Sequence, residues 1–180
     1  MDKLEINRNI RLVAQGDADA LASLYVELRK SVYGLALSVL RDRGLAEDCM
    51  QTTFLKLRLN ADKFTKGVEG KAWILRIARN EAYDCVRKRR DVPADYLDEE
   101  GLAEFGSSDE EIERATDSVV LRQAMKVLNR NENQVVYLHL YCDLKHKDVA
   151  EMMDIPVGTI GRIYSEAIGK LRRSVAIKDL

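Results

Sequence analysis

The chain has 180 residues and a formal net charge of −1, with 46% hydrophobic and 33% charged residues, enough apolar content for one domain or two small ones. Its three cysteines, Cys49, Cys85 and Cys142, are odd in number and widely spaced, which argues against a disulfide framework and for a reducing compartment. Charges break Met1–Gln15 repeatedly, and no stretch approaches the roughly 18 consecutive apolar residues of a membrane span, so a soluble cytoplasmic protein with no membrane partner is expected.

Apolar residues at steps of three and four (Leu21, Leu24, Tyr25, Leu28, Val32, Leu35, Ala36, Val39) predict an amphipathic helix over residues 18–41. A second helix is predicted over 45–59, with Phe54, Leu55 and Leu59 among its apolar positions. A loop over 60–70 containing Gly67 and Gly70 follows, and then a third helix over 70–90. There Trp73, Ile74, Ile77, Ala78, Ala82, Cys85 and Val86 form one stripe, which assigns Trp73 to the core. From Asp91 to about Asp109 the period dissolves among Pro93, two glycines, Ser107, Ser108 and a run of acids, the composition of a linker. Ser108, followed by three acids, is placed to cap the next helix. Helical period returns at Val119, Val120, Ala124, Val127 and Leu128, then at Val135, Val136, Leu138 and Leu140. Two shorter helices follow at 145–153 and 157–172, separated by Asp154-Ile155-Pro156. The expected fold is all-α: two small helical domains, 8–92 and 113–177, joined by a flexible acidic linker at 93–112.

Charge falls into blocks. Residues 71–90 carry seven Lys/Arg against two acids, and residues 91–117 carry eleven acids against one Arg. Segregation of this kind points to nucleic acid on the basic face, or to charged helix faces that only keep the chain in solution. The acidic block adjoins the basic helix and is suited to screening it in the free protein. On that helix Lys71, Arg76, Arg79, Arg87, Lys88, Arg89 and Arg90 can neutralise phosphates, while Asn80 and Tyr83 offer hydrogen bonding and stacking. Near the C-terminus, Lys147–Met153 reads as a short helix in which Ala150 is small enough for a close crossing. Ile155 plugs that crossing, and Pro156-Val157 opens a second helix with its N-terminus outward. This is the pattern of a helix-turn-helix, whose second helix enters a major groove.

These residues carry a family resemblance. Ala46-Glu47-Asp48-Cys49-Met50-Gln51-Thr52-Thr53-Phe54-Leu55-Lys56-Leu57, followed by Ala72-Trp73-Ile74-Leu75-Arg76-Ile77-Ala78-Arg79-Asn80 with Asp84 and Arg87, resembles region 2 of extracytoplasmic-function (ECF) sigma factors of the sigma-70 family. Residues 143–171, with Ile155-Pro156-Val157-Gly158-Thr159-Ile160, resemble region 4 of the same family, in the right order and with the linker in the family's place. The resemblance implies a transcription-initiation factor whose partners are core RNA polymerase and promoter DNA. It implies that Glu47, Asp48, Gln51, Thr52, Phe54 and Leu55 dock on the polymerase clamp. It implies that Phe64, Lys66, Lys71, Arg76, Asn80, Tyr83, Asp84, Arg87 and Lys88 open and read the −10 element as single-stranded DNA. For the −35 duplex it implies contacts from Lys147, Val157, Gly158, Thr159, Gly161, Arg162, Ser165, Glu166 and Lys170.

Two positions depart from the family pattern. Thr52 stands where relatives commonly carry an acid, so Thr52 and Thr53 are candidate phosphorylation positions for a regulatory kinase, or threonines simply tolerated on this surface. The recognition helix has one base before Lys170 where relatives have several, and its Glu166 is able to accept from cytosine N4. An anti-sigma factor is a further expected partner. His139, Cys142 and His146 straddle a helix end and offer only three ligands, so no metal site is expected. No glycine-rich nucleotide loop, nucleophile elbow or paired carboxylates occur, so neither catalysis, cofactor nor small-molecule substrate is expected. Two rival readings remain at this point. One is a helix-turn-helix regulator acting without polymerase; the other is a sigma-like mimic that sequesters an anti-sigma factor.

Overall fold

The computed structural model describes residues 1–65, 67–90 and 127–176, and every regular element among them is helical. The chain divides into two compact units, Met1–Glu104 and Phe105–Leu180. The predicted linker, the Ser108 cap and the predicted helix containing Val119, Val120 and Ala124 lie outside the described residues, as does Lys66.

The first unit holds α1 (Lys3–Ala14), α2 (Ala18–Leu40), α3 (Arg43–Asn60), a 3-10 turn (Ala61–Lys63) and α4 (Gly70–Arg90). Short acidic side chains start the first three helices: Asp2, Asp17 and Asp42 accept from the backbone N–H of Glu5, Ala20 and Leu45. Between α2 and α3 only Arg41, left-handed at φ 55°, and Asp42 intervene. So short a joint folds the two helices back on each other, and within the unit α2 buries Leu24, Leu28, Val32, Leu35 and Ala36 while α3 buries Ala46, Met50, Phe54 and Leu57.

The unit starts earlier than the boundary drawn at residue 8. Helix α1 buries Ile6, Ile10 and Val13, a spacing of four and three, and packs on α2, on the 3-10 turn and on α4. Its Asn7 carboxamide Oδ1 accepts the Gly70 backbone N–H at 2.8 Å, so α1 caps α4 from a distance of 63 residues in sequence. Glu69 completes that end by accepting the Ala72 N–H at 2.6 Å. A methyl on Gly70 would stand 2.4 Å from Asn7 Oδ1 and 2.8 Å from Ile10 Cδ1, so any larger residue forces these α1 side chains to shift.

In the second unit, α5 (Arg130–Val136) runs into a π-helical turn (Tyr137–Tyr141), followed by α6 (His146–Met153) and α7 (Val157–Ala176). A reciprocal cap opens α5: Asn129 accepts from the Glu132 N–H while Glu132 accepts from the Asn129 N–H. Leu128, Val136 and Ala167 pack together with Tyr164 and Leu171 against them, holding α7 on α5. The turn after α6 follows the sequence pattern: Ala150 is buried, and its carbonyl accepts from Asp154, left-handed at φ 56°, and from Ile155 at 3.1 Å. Ile155 is half-buried, and the Pro156 carbonyl accepts the Thr159 and Ile160 N–H groups that begin α7.

Candidate nucleic-acid and docking interface

Helix α3 presents one outward face. Glu47, Asp48, Gln51 and Leu55 are exposed and Thr52 is half-buried; Leu59, one turn beyond Leu55, is 76% exposed and extends the same stripe. Two residues assigned to this face by sequence lie elsewhere. Phe54 turns inward and meets Tyr25 edge-on with ring centroids 4.9 Å apart, because an aromatic ring buries more apolar area between α2 and α3 than it would outside. Thr53 is fully buried and its hydroxyl donates to the Cys49 carbonyl at 2.7 Å, which leaves it closed to a kinase. Cys49 beneath it is held as a thiol: burial, with the nearby Glu81 charge, pushes its pKa up to about 12.

Helix α4 places Arg76, Asn80, Tyr83, Asp84 and Arg87 at steps of three and four, with Asn80, Arg87 and Lys88 exposed and Lys71 half-buried at its start. The Arg79 guanidinium lies 4.7 Å above the Tyr83 ring. Asp84 pairs with Arg87 at 2.7 Å, so it orients that arginine as well as standing on the outward face. Phe64 is buried against Trp73 with ring centroids 5.3 Å apart, anchoring the loop that precedes α4, and Trp73 is half-buried there. An ion pair from Lys56 on α3 to Glu81 on α4 ties the two candidate surfaces together.

In the second unit Val157, Gly158, Arg162, Ser165 and Glu166 are exposed along α7, with Thr159 and Gly161 half-buried, and Lys147 is exposed on α6. Lys170 has a different task from the one its sequence position implied. Its ammonium donates to Glu132 at 2.7 Å, and the Glu132 side chain is only 5% exposed. Burial pushes the Glu132 carboxyl up, but the hydrogen bonds from Lys170 and the Asn129 N–H, with the lysine charge, outweigh it and hold the group below its ordinary value of 4.5. Glu132 therefore stabilises the folded unit above about pH 4.5, and the contribution is lost as pH falls through the lower folded value. Lys170→Met should destabilise this unit by about 1–3 kcal/mol, the lysine end being partly screened by water. Amide exchange on α5 at pH 7 should rise accordingly, and the difference from wild type should shrink at pH 3. An equal difference at both pH values would remove the ion pair as the cause.

His139, His146 and Tyr164 form a ring cluster with centroids 4.4–5.2 Å apart, and His139 Nδ1 lies 2.8 Å from the Leu144 carbonyl. Cys142 is buried, and no group of three or more His, Cys, Asp or Glu among the described residues is placed to hold a metal ion.

Against known families, residues 24–92 match the model for sigma-70 region 2 and residues 124–173 match the model for sigma-70 region 4. Over 159 residues the chain is 30% identical to the ECF RNA polymerase sigma factor SigK of Mycobacterium sp. (strain KMS), covering 84% of this chain and 80% of that one. The chain belongs to the ECF subfamily of sigma-70 factors. A second relative, the ECF RNA polymerase sigma factor SigW of Bacillus subtilis (strain 168), is 28% identical over 170 residues, or 88% of this sigma factor and 90% of that one. The fold is similar to CnrH, solved with the cytosolic domain of CnrY, at a TM-score of 0.68 and 18% identity over 96% of this chain and 98% of that one. It is also similar to RpoE of Bartonella quintana, solved with the anti-sigma factor NepR, at a TM-score of 0.65 and 24% identity over 87% of this chain and 96% of that one. No helix among the described residues of this sigma factor is long and apolar enough to cross a membrane.

Proposed function

We propose that this sigma factor divides promoter recognition among three helices. The outward face of α3 (Glu47, Asp48, Gln51, Leu55 and Leu59) docks on core RNA polymerase. The outward face of α4 captures the −10 element as a single strand, with Asn80 on a base and Lys71, Arg76, Arg87 and Lys88 on phosphates. Helix α7 lies in the major groove of the −35 duplex. The observation that carries this assignment is the pairing of an acidic-apolar face on α3 with a basic face on α4 within one folded unit, linked through Lys56 and Glu81. A protein that only bound duplex DNA through α7 would have no use for exposed Leu55 and Leu59, which supports the polymerase-dependent reading over a regulator acting alone. Phe64 supports the −10 loop from below by packing on Trp73. An anti-sigma factor is the further partner we assign, since both similar structures hold a second protein and RpoE's is named as one.

The test is transcription in vitro with purified core polymerase, with and without this chain, on the promoter upstream of its own gene. Within that assay Asn80→Ala should lower output and relax −10 selectivity while core binding stays intact. Arg87→Ala should weaken all promoters alike and make the salt dependence shallower, as expected of a phosphate contact. Transcription that does not depend on the added chain refutes the proposal. Unchanged −10 selectivity in the Asn80 variant removes only its base-reading role.

A further inference from the structure

Between Val157 and Gly169, α7 carries two charged residues, Arg162 and Glu166. They stand one turn apart on the exposed side, 68% and 54% exposed, with the guanidinium 3.4 Å from the carboxylate. Their surroundings on that side are short: nothing lies within 4 Å of where a Cβ on Gly158 or Gly161 would be, and Ser165 is exposed. Arg162 and Glu166 are therefore the side chains with the longest reach on this face, and their charges cancel. Phosphate attraction requires net positive charge, and a carboxylate brought near a DNA backbone is repelled. The interaction that repays a glutamate in a major groove is a hydrogen bond from a base. A carboxylate only accepts. The groove edge of adenine sets its N6 donor beside the N7 acceptor, which repels the second carboxylate oxygen. Cytosine offers its N4 donor with no acceptor beside it, while the guanine it pairs with presents O6 and N7 to a donor.

Resting on the −35 reading of α7 given above, we propose that Arg162 and Glu166 together read one C·G base pair of the −35 element. Glu166 accepts from cytosine N4, and Arg162 donates to guanine O6 and N7 while holding the carboxylate in line. The pair makes this sigma factor's −35 preference depend on one base pair more than on general basic charge.

The experiment is in vitro transcription by core polymerase and the full-length chain on templates randomised across both promoter elements, with the transcribed templates sequenced. The wild type should enrich cytosine at one −35 position by about 10-fold over the next base. Glu166→Gln should move that position towards adenine, whose N6 and N7 suit a carboxamide. Glu166→Ala should flatten that position alone and raise binding to unrelated DNA at low salt, because a repelling charge is gone. Arg162→Ala should weaken the same position. A −35 motif left unchanged by both Glu166 variants, or a wild-type motif without the cytosine, overturns the inference and leaves the promoter reading standing. Loss of all transcription by both Glu166 variants with unaltered thermal melting also overturns it, since removing one base contact should relax one position only. A wild-type chain that selects no template at all overturns the −35 reading itself, and the base-pair assignment with it.

Discussion

Replacing both Glu47 and Asp48 by lysine is expected to abolish stable association with core polymerase. The two carboxylates sit on consecutive positions of α3, exposed, at one end of a face that continues through Gln51 and Leu55 to Leu59. Leu55 and Leu59 lie two to three turns along the same face, and their exclusion of water from a docked surface strengthens the charge pairs made beside them. Truncating one partner of a buried charge pair costs about 2–5 kcal/mol, and reversal adds repulsion to that loss. Affinity should therefore fall at least about 30-fold. Both residues lie outside the packed core, so the variant should melt as the wild type does. Leu55→Ala with Leu59→Ala should weaken binding without altering its salt dependence, because those positions contribute burial and not charge. Co-purification of the reversed-charge protein with core polymerase at the wild-type level would remove this face from the docking site.

The parts of the molecule legible in the sequence are those where one period governs many residues. Helices α2, α3 and α4 lie within two residues of their predicted limits because each buries an unbroken stripe, and the turn at Asp154–Pro156 is legible from small Ala150, the Ile155 plug and Pro156 at the start of the next helix. Helix α1 is hidden in the sequence for the opposite reason. Its buried positions, Ile6, Ile10 and Val13, keep helical spacing, but the charges between them read as interruptions and not as the solvated side of an amphipathic helix. Side-chain direction was harder to read. Phe54 and Phe64 belong to segments that resemble functional surfaces, yet each ring finds a partner inside, Tyr25 and Trp73. Lys170 falls in phase with the exposed Arg162 and Glu166, but its partner Glu132 is 38 residues away, a distance across which no local pattern reports. Asn80, Arg87, Arg162, Ser165 and Glu166 are exposed because polar residues at steps of three and four share the side of the helix that its apolar stripe leaves to solvent.

The contact made by α1 yields the largest expected effect on stability. Gly70→Ala brings a methyl to within 2.4 Å of Asn7 Oδ1, 2.8 Å of Ile10 Cδ1 and 3.0 Å of Ile6 Cγ2. Asn7 is able to swing away, but only by giving up the Gly70 N–H, which then has no cap. Ile10 is fully buried and Ile6 nearly so, which leaves them little room to yield. Overpacking of this kind costs about 1–3 kcal/mol and the lost hydrogen bond about 1 kcal/mol more. In a unit of this size a loss of that order lowers the melting temperature by at least about 8 °C. Trp73, the single tryptophan of the chain, sits three residues along the same helix and reports the transition of this unit alone. Because α1 fixes where α4 begins, the variant should also lose promoter opening at temperatures where it is still folded. The two substitutions should be non-additive: Asn7→Ala removes the atom in closest conflict, so it should cost less in the Gly70→Ala background than in the wild type. Additive effects, or a Gly70→Ala protein melting within a degree of wild type, would mean that α1 does not seat the start of α4.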